Sequence, residues 1–166
     1  LGEIFEQEEM AAKGLEMLKR TMAHAPQQNR YDLMAGSAGF ILLLLLLHNR
    51  YPVDGLLERA ACHGDHLLDQ ARKHEYGWSW PTGSPSKKSV PDLPGFSHGT
   101  TGITLALLEL SQVTGDKRYL EGAAAGFQYE RHLNSQEAHR DTGEAYGIAY
   151  EHTMPTRSAA TWCHGA

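Results

Sequence analysis

Only two of the 166 residues are cysteines, and 101 positions separate Cys62 from Cys163. Such scarcity excludes a disulfide scaffold and leads us to expect reduced thiols in a cytoplasmic setting. Long apolar runs are also missing. The longest, Phe40–Leu47, has eight residues, against roughly 20 for a helix that spans a bilayer. Positive charge is in deficit, with 15 Lys and Arg against 20 Asp and Glu and a net charge of −5. No basic stripe is therefore available to neutralise phosphates, which excludes a general nucleic-acid binder. The first residues carry Glu3, Glu6, Glu8 and Glu9 and lack the basic-then-apolar order of a signal peptide.

What is present is a repeated glycine pattern. Gly95-Phe96-Ser97-His98-Gly99-Thr100-Thr101-Gly102 runs into the apolar stretch Ile103–Leu110. Ala35-Gly36-Ser37-Ala38-Gly39-Phe40 runs into Ile41–Leu47, and Trp162-Cys163-His164-Gly165-Ala166 has the form of a third start. Gly36 to Gly99 is 63 residues and Gly99 to Gly165 is 66, a near-constant period that signals a repeat architecture.

Periodicity gives the elements. Residues 3–24 predict an amphipathic helix with Ile4, Ala11, Leu15, Leu18 and Met22 on one face, and Pro26–Arg30 is a polar break. A helix over Gly39–His48 is apolar all round and is expected to be buried on every side. Asp54 is a candidate N-cap for a one-sided helix over 55–73, carrying Leu56, Ala60, Leu67 and Ala71. Residues 74–97, rich in Gly, Pro and Trp, predict a long loop. The order then repeats. An all-apolar helix over Gly99–Val113 ends at Gly115 as C-cap, and Asp116 N-caps an amphipathic helix over Lys117–Leu133 with Tyr119, Ala123, Phe127 and Glu130 on successive turns. Residues 134–161 predict a second polar loop.

Wholly apolar helices alternating with one-sided ones pack as an inner layer wrapped by an outer layer. The fold class is therefore all-α, an α/α toroid (barrel) of which this chain holds only part. A helical bundle is the plainer alternative. In the toroid the glycine-flanked helix starts gather at one end of the ring, which brings the segments of Asp32, His98 and Cys163 together.

Chemistry follows from that gathering. His98 can take or give a proton near neutral pH, and its plain alternative is an incidental residue at a tight helix start. Asp32 can be a carboxylate partner or a local cap. Cys163 at a helix mouth is a sound zinc ligand, but one thiolate does not make a zinc site. Cys62, within Cys62-His63-Gly64-Asp65, falls mid-helix in the outer layer and is expected to be structural. His63 and His66 share a helix face with no further ligand to complete a site. Asp32 with Asp92 is the one carboxylate pair to offer for a carbohydrate-active toroid.

The motifs around His98, Thr114-Gly115-Asp116 with Tyr119, Tyr129-Glu130-Arg131 and Trp162-Cys163-His164-Gly165-Ala166 resemble the lanthionine synthetase cyclase (LanC-like) family. Tyr31-Asp32 with Gly36-Ser37-Ala38-Gly39 is similar to that family's earlier glycine motif. The resemblance covers most of residues 31–166 and points to the cyclase domain of a class II lanthipeptide synthetase. It implies an α/α toroid with one zinc ion, and a reaction that adds cysteine thiols of a precursor peptide to dehydroalanine or dehydrobutyrine. By the same resemblance Cys163 is the first zinc cysteine, His98 the acid–base at the enolate and Asp32 a carboxylate assisting proton transfer. A dehydrated precursor peptide, and a dehydratase domain or partner, are the implied partners.

This chain departs from the family pattern in lacking the later Cys-His-Gly motif with the remaining zinc ligands. Residues 1–166 are therefore expected to be part of one LanC-like domain truncated after the first zinc-cysteine motif, inactive in isolation. A non-catalytic LanC-like module that binds a thiol or peptide is the alternative function.

Overall fold

The two apolar-rich runs form helices because each starts at a Gly-x-x-Gly turn and contains no breaker for three turns or more. In the computed structural model, which describes residues 7–26, 30–51, 53–81 and 92–139, they are α2 (Ser37–Arg50) and α4 (Thr100–Thr114). The one-sided helices are α1 (Glu8–Met22), α3 (Leu56–Gln70) and α5 (Lys117–His139). Two three-residue strands, β1 (Arg72–His74) and β2 (Gly77–Ser79), pair antiparallel.

The helices stack as two αα-hairpins. α2 packs on α3, α4 packs on α5, and the two hairpins meet along α2 and α4. Ile41 and Leu44 of α2 and Ile103, Leu107 and Leu110 of α4 have no exposed surface and share one core with Leu56 and Leu67 of α3 and Tyr119 of α5. Burying each of those aliphatic side chains stabilises the fold by about 2 kcal/mol. The all-α class agrees with the sequence expectation. α1 is peripheral, touching the core through Leu18 and Met22 without burying any residue fully. Among the described residues no helix is long and apolar enough to cross a membrane.

Several local expectations are corrected. α2 is not covered on every side: α3 and α4 flank it, while Leu43 and Leu46 remain 43% and 65% exposed. Asp54 does not cap α3. Gly55 takes that position with φ +81°, a left-handed conformation that glycine adopts freely, and no side chain caps the helix there. Residues 72–79, mostly assigned to the loop, form the hairpin, which lies on α5 and buries Trp80 against the core. The Trp80 indole N–H donates to the Leu67 carbonyl at 2.7 Å.

The hairpin and α3 rotate the buried face of α5. Gly122 and Gly126 let neighbours approach closely: a Cβ on Gly122 would lie 2.6 Å from Leu68 Cδ2, and one on Gly126 would overlap Thr104 Oγ1. Tyr119, Ala123 and Tyr129 are buried beside them, while Phe127 is 58% exposed. α5 also runs to His139, past the expected end at Leu133; residues 140–161 of the expected polar loop lie outside the described residues. The capping at the α4–α5 junction is as expected. Gly115 is left-handed, and Asp116 Oδ1 accepts the Arg118 backbone N–H at 2.9 Å. The Arg118 guanidinium beside Asp116 holds that carboxyl below the usual aspartate range.

Candidate active site

Asp32 and His98 stand in two turns built to one plan. The Ser37 N–H donates to the Arg30 carbonyl at 3.1 Å, and in the matching place the Thr100 N–H donates to the Leu93 carbonyl at 3.0 Å. The N-cap glycines have nearly the same backbone: φ −125°, ψ −168° at Gly36 and φ −122°, ψ −167° at Gly99. In both turns the glycines permit the chain to fold back on the helix start. A Cβ on Gly99 would overlap the Pro94 carbonyl, and one on Gly102 the Phe96 carbonyl; Gly39 meets the Leu33 carbonyl in the same way. The Leu33 N–H donates to the Ser97 carbonyl at 3.2 Å, which fastens one turn to the other.

That fastening brings the two candidate side chains together. Asp32 Oδ1 accepts the Ala35 N–H at 2.8 Å, closing its own turn, and Oδ2 lies 2.9 Å from His98 Nδ1. A carboxylate oxygen only accepts, so Nδ1 carries the shared hydrogen, and a proton exchanged by the ring passes through Nε2. Asp32 keeps 21% of its side-chain surface exposed and His98 keeps 42%. The carboxylate is therefore mostly sheltered, while the imidazole is open enough for a substrate to reach.

Glu130, which the sequence offers as a position on the face of α5 and as part of Tyr129-Glu130-Arg131, has a defined place here. Its Oε1 accepts the Gly95 N–H at 2.8 Å and the Thr101 N–H at 3.1 Å, on either side of His98. The neighbouring Tyr129 hydroxyl donates to the Asp92 carbonyl at 3.0 Å, and burial pushes that phenol well above its ordinary pKa. The Asp92 side chain is buried and held by Arg72 at 2.7 Å and by the Ser79 hydroxyl. It is a fastening of the hairpin, so the Asp32–Asp92 carboxylate pair of the carbohydrate reading does not form a cleft.

His63 occupies the core under the first turn. Its Nδ1 lies 3.1 Å from Ser37 Oγ, its ring packs on Phe40, and its Nε2 has no hydrogen-bond partner among the described residues. Burial, with lesser contributions from the Arg59 and His66 charges, lowers its pKa to about 4, so it is neutral at pH 7. Cys62 is an exposed free thiol on α3. Among the described residues no three His, Cys, Asp or Glu side chains come together as a metal site. Cys163, the expected zinc ligand, lies outside the described residues.

No curated protein and no solved structure gives a match to the chain. The sequence model of one family, described as lanthionine synthetase C-like protein, matches residues 2–166. That span contains both glycine turns, the Asp32–His98 pair and the Trp162-Cys163-His164-Gly165 motif, and the chain belongs to the lanthionine synthetase C-like family.

Proposed function

We propose that the chain acts in lanthionine ring formation, adding cysteine thiols of a dehydrated precursor peptide to dehydroalanine or dehydrobutyrine, with His98 as the acid–base and Asp32 as its partner. Membership of the lanthionine synthetase C-like family supports the reaction class. The observation that carries the residue roles is the 2.9 Å hydrogen bond between side chains 66 residues apart.

The addition balances within the substrate. The thiol loses its proton, sulfur bonds to the β-carbon, and the π pair moves onto the α-carbon side as an enolate. A proton then returns to the α-carbon, with no redox partner and no leaving group. With Nδ1 tied to Asp32, His98 presents its proton on Nε2, and the Asp32 carboxylate offsets the positive charge that the ring carries meanwhile. The turn-to-turn bond from Leu33 to Ser97 keeps the pair in register.

Zinc is the proposed cofactor, with Cys163 as one ligand; when bound it supplies a thiol-binding Lewis acid that favours the thiolate at neutral pH. The described residues contain no ligand set for it, and no step above is routed through it. In this reading the two αα-hairpins are successive segments of a toroid wall. A dehydratase must act before this step, because an unmodified serine or threonine offers no acceptor alkene. A cytoplasmic site, where thiols stay reduced, suits that sequence of events.

The test is cyclisation by the longest protein the gene encodes, given a dehydrated peptide with one cysteine and zinc. Ring closure leaves mass unchanged, so free thiols are counted by alkylation and mass spectrometry. The wild type should consume the thiol, and His98→Asn should slow this by about 100-fold, within the range of acid–base contributions. Equal rates after subtraction of uncatalysed addition would return His98 to a structural role.

A further inference from the structure

We propose that Glu130 is the positioning residue of His98. The inference rests on the cyclase reading for its kinetic consequence, but its geometry stands independently. A single carboxylate oxygen accepts two backbone N–H groups, Gly95 at 2.8 Å and Thr101 at 3.1 Å, and these bracket the turn that carries His98.

The comparison between the repeats shows why a side chain is needed. In the first turn the Ala38 N–H donates to the Tyr31 carbonyl at 3.1 Å, and Asp32 closes the turn from within. Sixty-three residues on, Thr101 stands in the place of Ala38, Pro94 in that of Tyr31 and Gly95 in that of Asp32. The second turn thus has no internal carboxylate, and the Thr101 N–H goes to Glu130 instead. Gly95 itself has φ +100°, a conformation open to glycine without strain and costly for an aspartate-like capping side chain.

α5 supplies the anchor from two adjacent residues. Tyr129 holds the Asp92 carbonyl at 3.0 Å, and Glu130 holds the Gly95 and Thr101 N–H groups. The hairpin stiffens the same segment through Arg72 and Asp92. His98 lies between the two Glu130 bonds, so its backbone, and with it the direction of Nδ1 toward Asp32, follows from where Glu130 sits. Glu130 acts through that turn and not on the substrate.

The experiment compares Glu130→Ala and Glu130→Gln in the full-length protein. Glutamine keeps an oxygen that accepts both N–H groups, whereas alanine removes it. Two readouts are taken: kcat and KM for thiol consumption, and the His98 tautomer from ¹⁵N NMR of histidine-labelled protein, with His98→Asn assigning the signal. In the wild type Nδ1 carries the hydrogen. Glu130→Ala should give a mixed tautomer and lower kcat about tenfold or more, with KM within twofold, and Glu130→Gln should restore both. An unchanged tautomer and kcat in Glu130→Ala would overturn the proposal, as would a Glu130→Gln variant as impaired as Glu130→Ala. Should the alanine variant not fold, Glu130→Asp takes its place, because a carboxylate withdrawn by one methylene cannot reach both N–H groups. The same mixed tautomer is expected, and a wild-type one overturns the proposal. A wild type that fails to cyclise would sink the cyclase reading alone, since the tautomer still decides the role of Glu130.

Discussion

Asp32 divides its carboxylate between its own turn and a residue 66 positions away: Oδ1 receives the Ala35 N–H, and Oδ2 meets His98 Nδ1 at 2.9 Å. The side chain that shapes the first turn also orients the imidazole of the second. Because one group does both, stability and chemistry are coupled at this point of the fold.

Gly102→Ala tests the turn architecture. The new Cβ would overlap the Phe96 carbonyl and lie 3.1 Å from Leu33 Cβ, so the turn must move off the start of α4. We expect a loss of about 2–4 kcal/mol, in the range of overpacked backbone contacts. Gly115→Ala is the comparison, since a Cβ there meets nothing and only the left-handed backbone is strained; it should cost about 1 kcal/mol. Equal losses by denaturant unfolding would contradict the close-approach argument.

Much of this frame was legible in the sequence, for identifiable reasons. The runs Ile41–Leu47 and Ile103–Leu110 marked α2 and α4, Gly115 and Asp116 the break between α4 and α5, and the repeated glycine turns the convergence of Asp32 with His98. The hairpin was not legible, because β1 reads Arg72-Lys73-His74 and three polar residues carry no strand period. Phe127 kept helical register with Ala123, yet Gly126 and Tyr129 took the buried face once the hairpin lay on α5. Glu130 was hidden for a different reason. It bonds to backbone N–H groups 29 and 35 residues away, a contact that leaves no trace in local pattern.

His63 should make stability fall in mild acid. Its folded pKa, about 4, lies below the ordinary histidine value of 6.5. The unfolded chain therefore binds more protons between those values, and stability is full above about pH 6.5 and lost as pH falls toward 4. The loss amounts to roughly 3 kcal/mol at most. His63→Gln removes the titration while leaving a polar group near Ser37, so its unfolding free energy should vary less between pH 7 and 4.5. Matching slopes for wild type and variant would contradict this.

The two cysteines should behave oppositely. Cys62 is exposed, with a long 3.9 Å contact from Arg59 at its sulfur, so Cys62→Ala should leave zinc content and stability unchanged within about 0.5 kcal/mol. Cys163→Ala in the full-length protein should strip or loosen the metal. Elemental analysis after dialysis checks both, and tightly held stoichiometric zinc in Cys163→Ala would sink the ligand assignment.

The most direct test of the central claim is a double-mutant cycle on thiol consumption with Asp32→Asn, His98→Asn and the combined variant. If the two side chains work as one acid–base unit, the combined variant should be about as slow as His98→Asn alone, because Asp32 has nothing left to orient. Losses that multiply, or a His98→Asn enzyme as fast as wild type, would contradict the account.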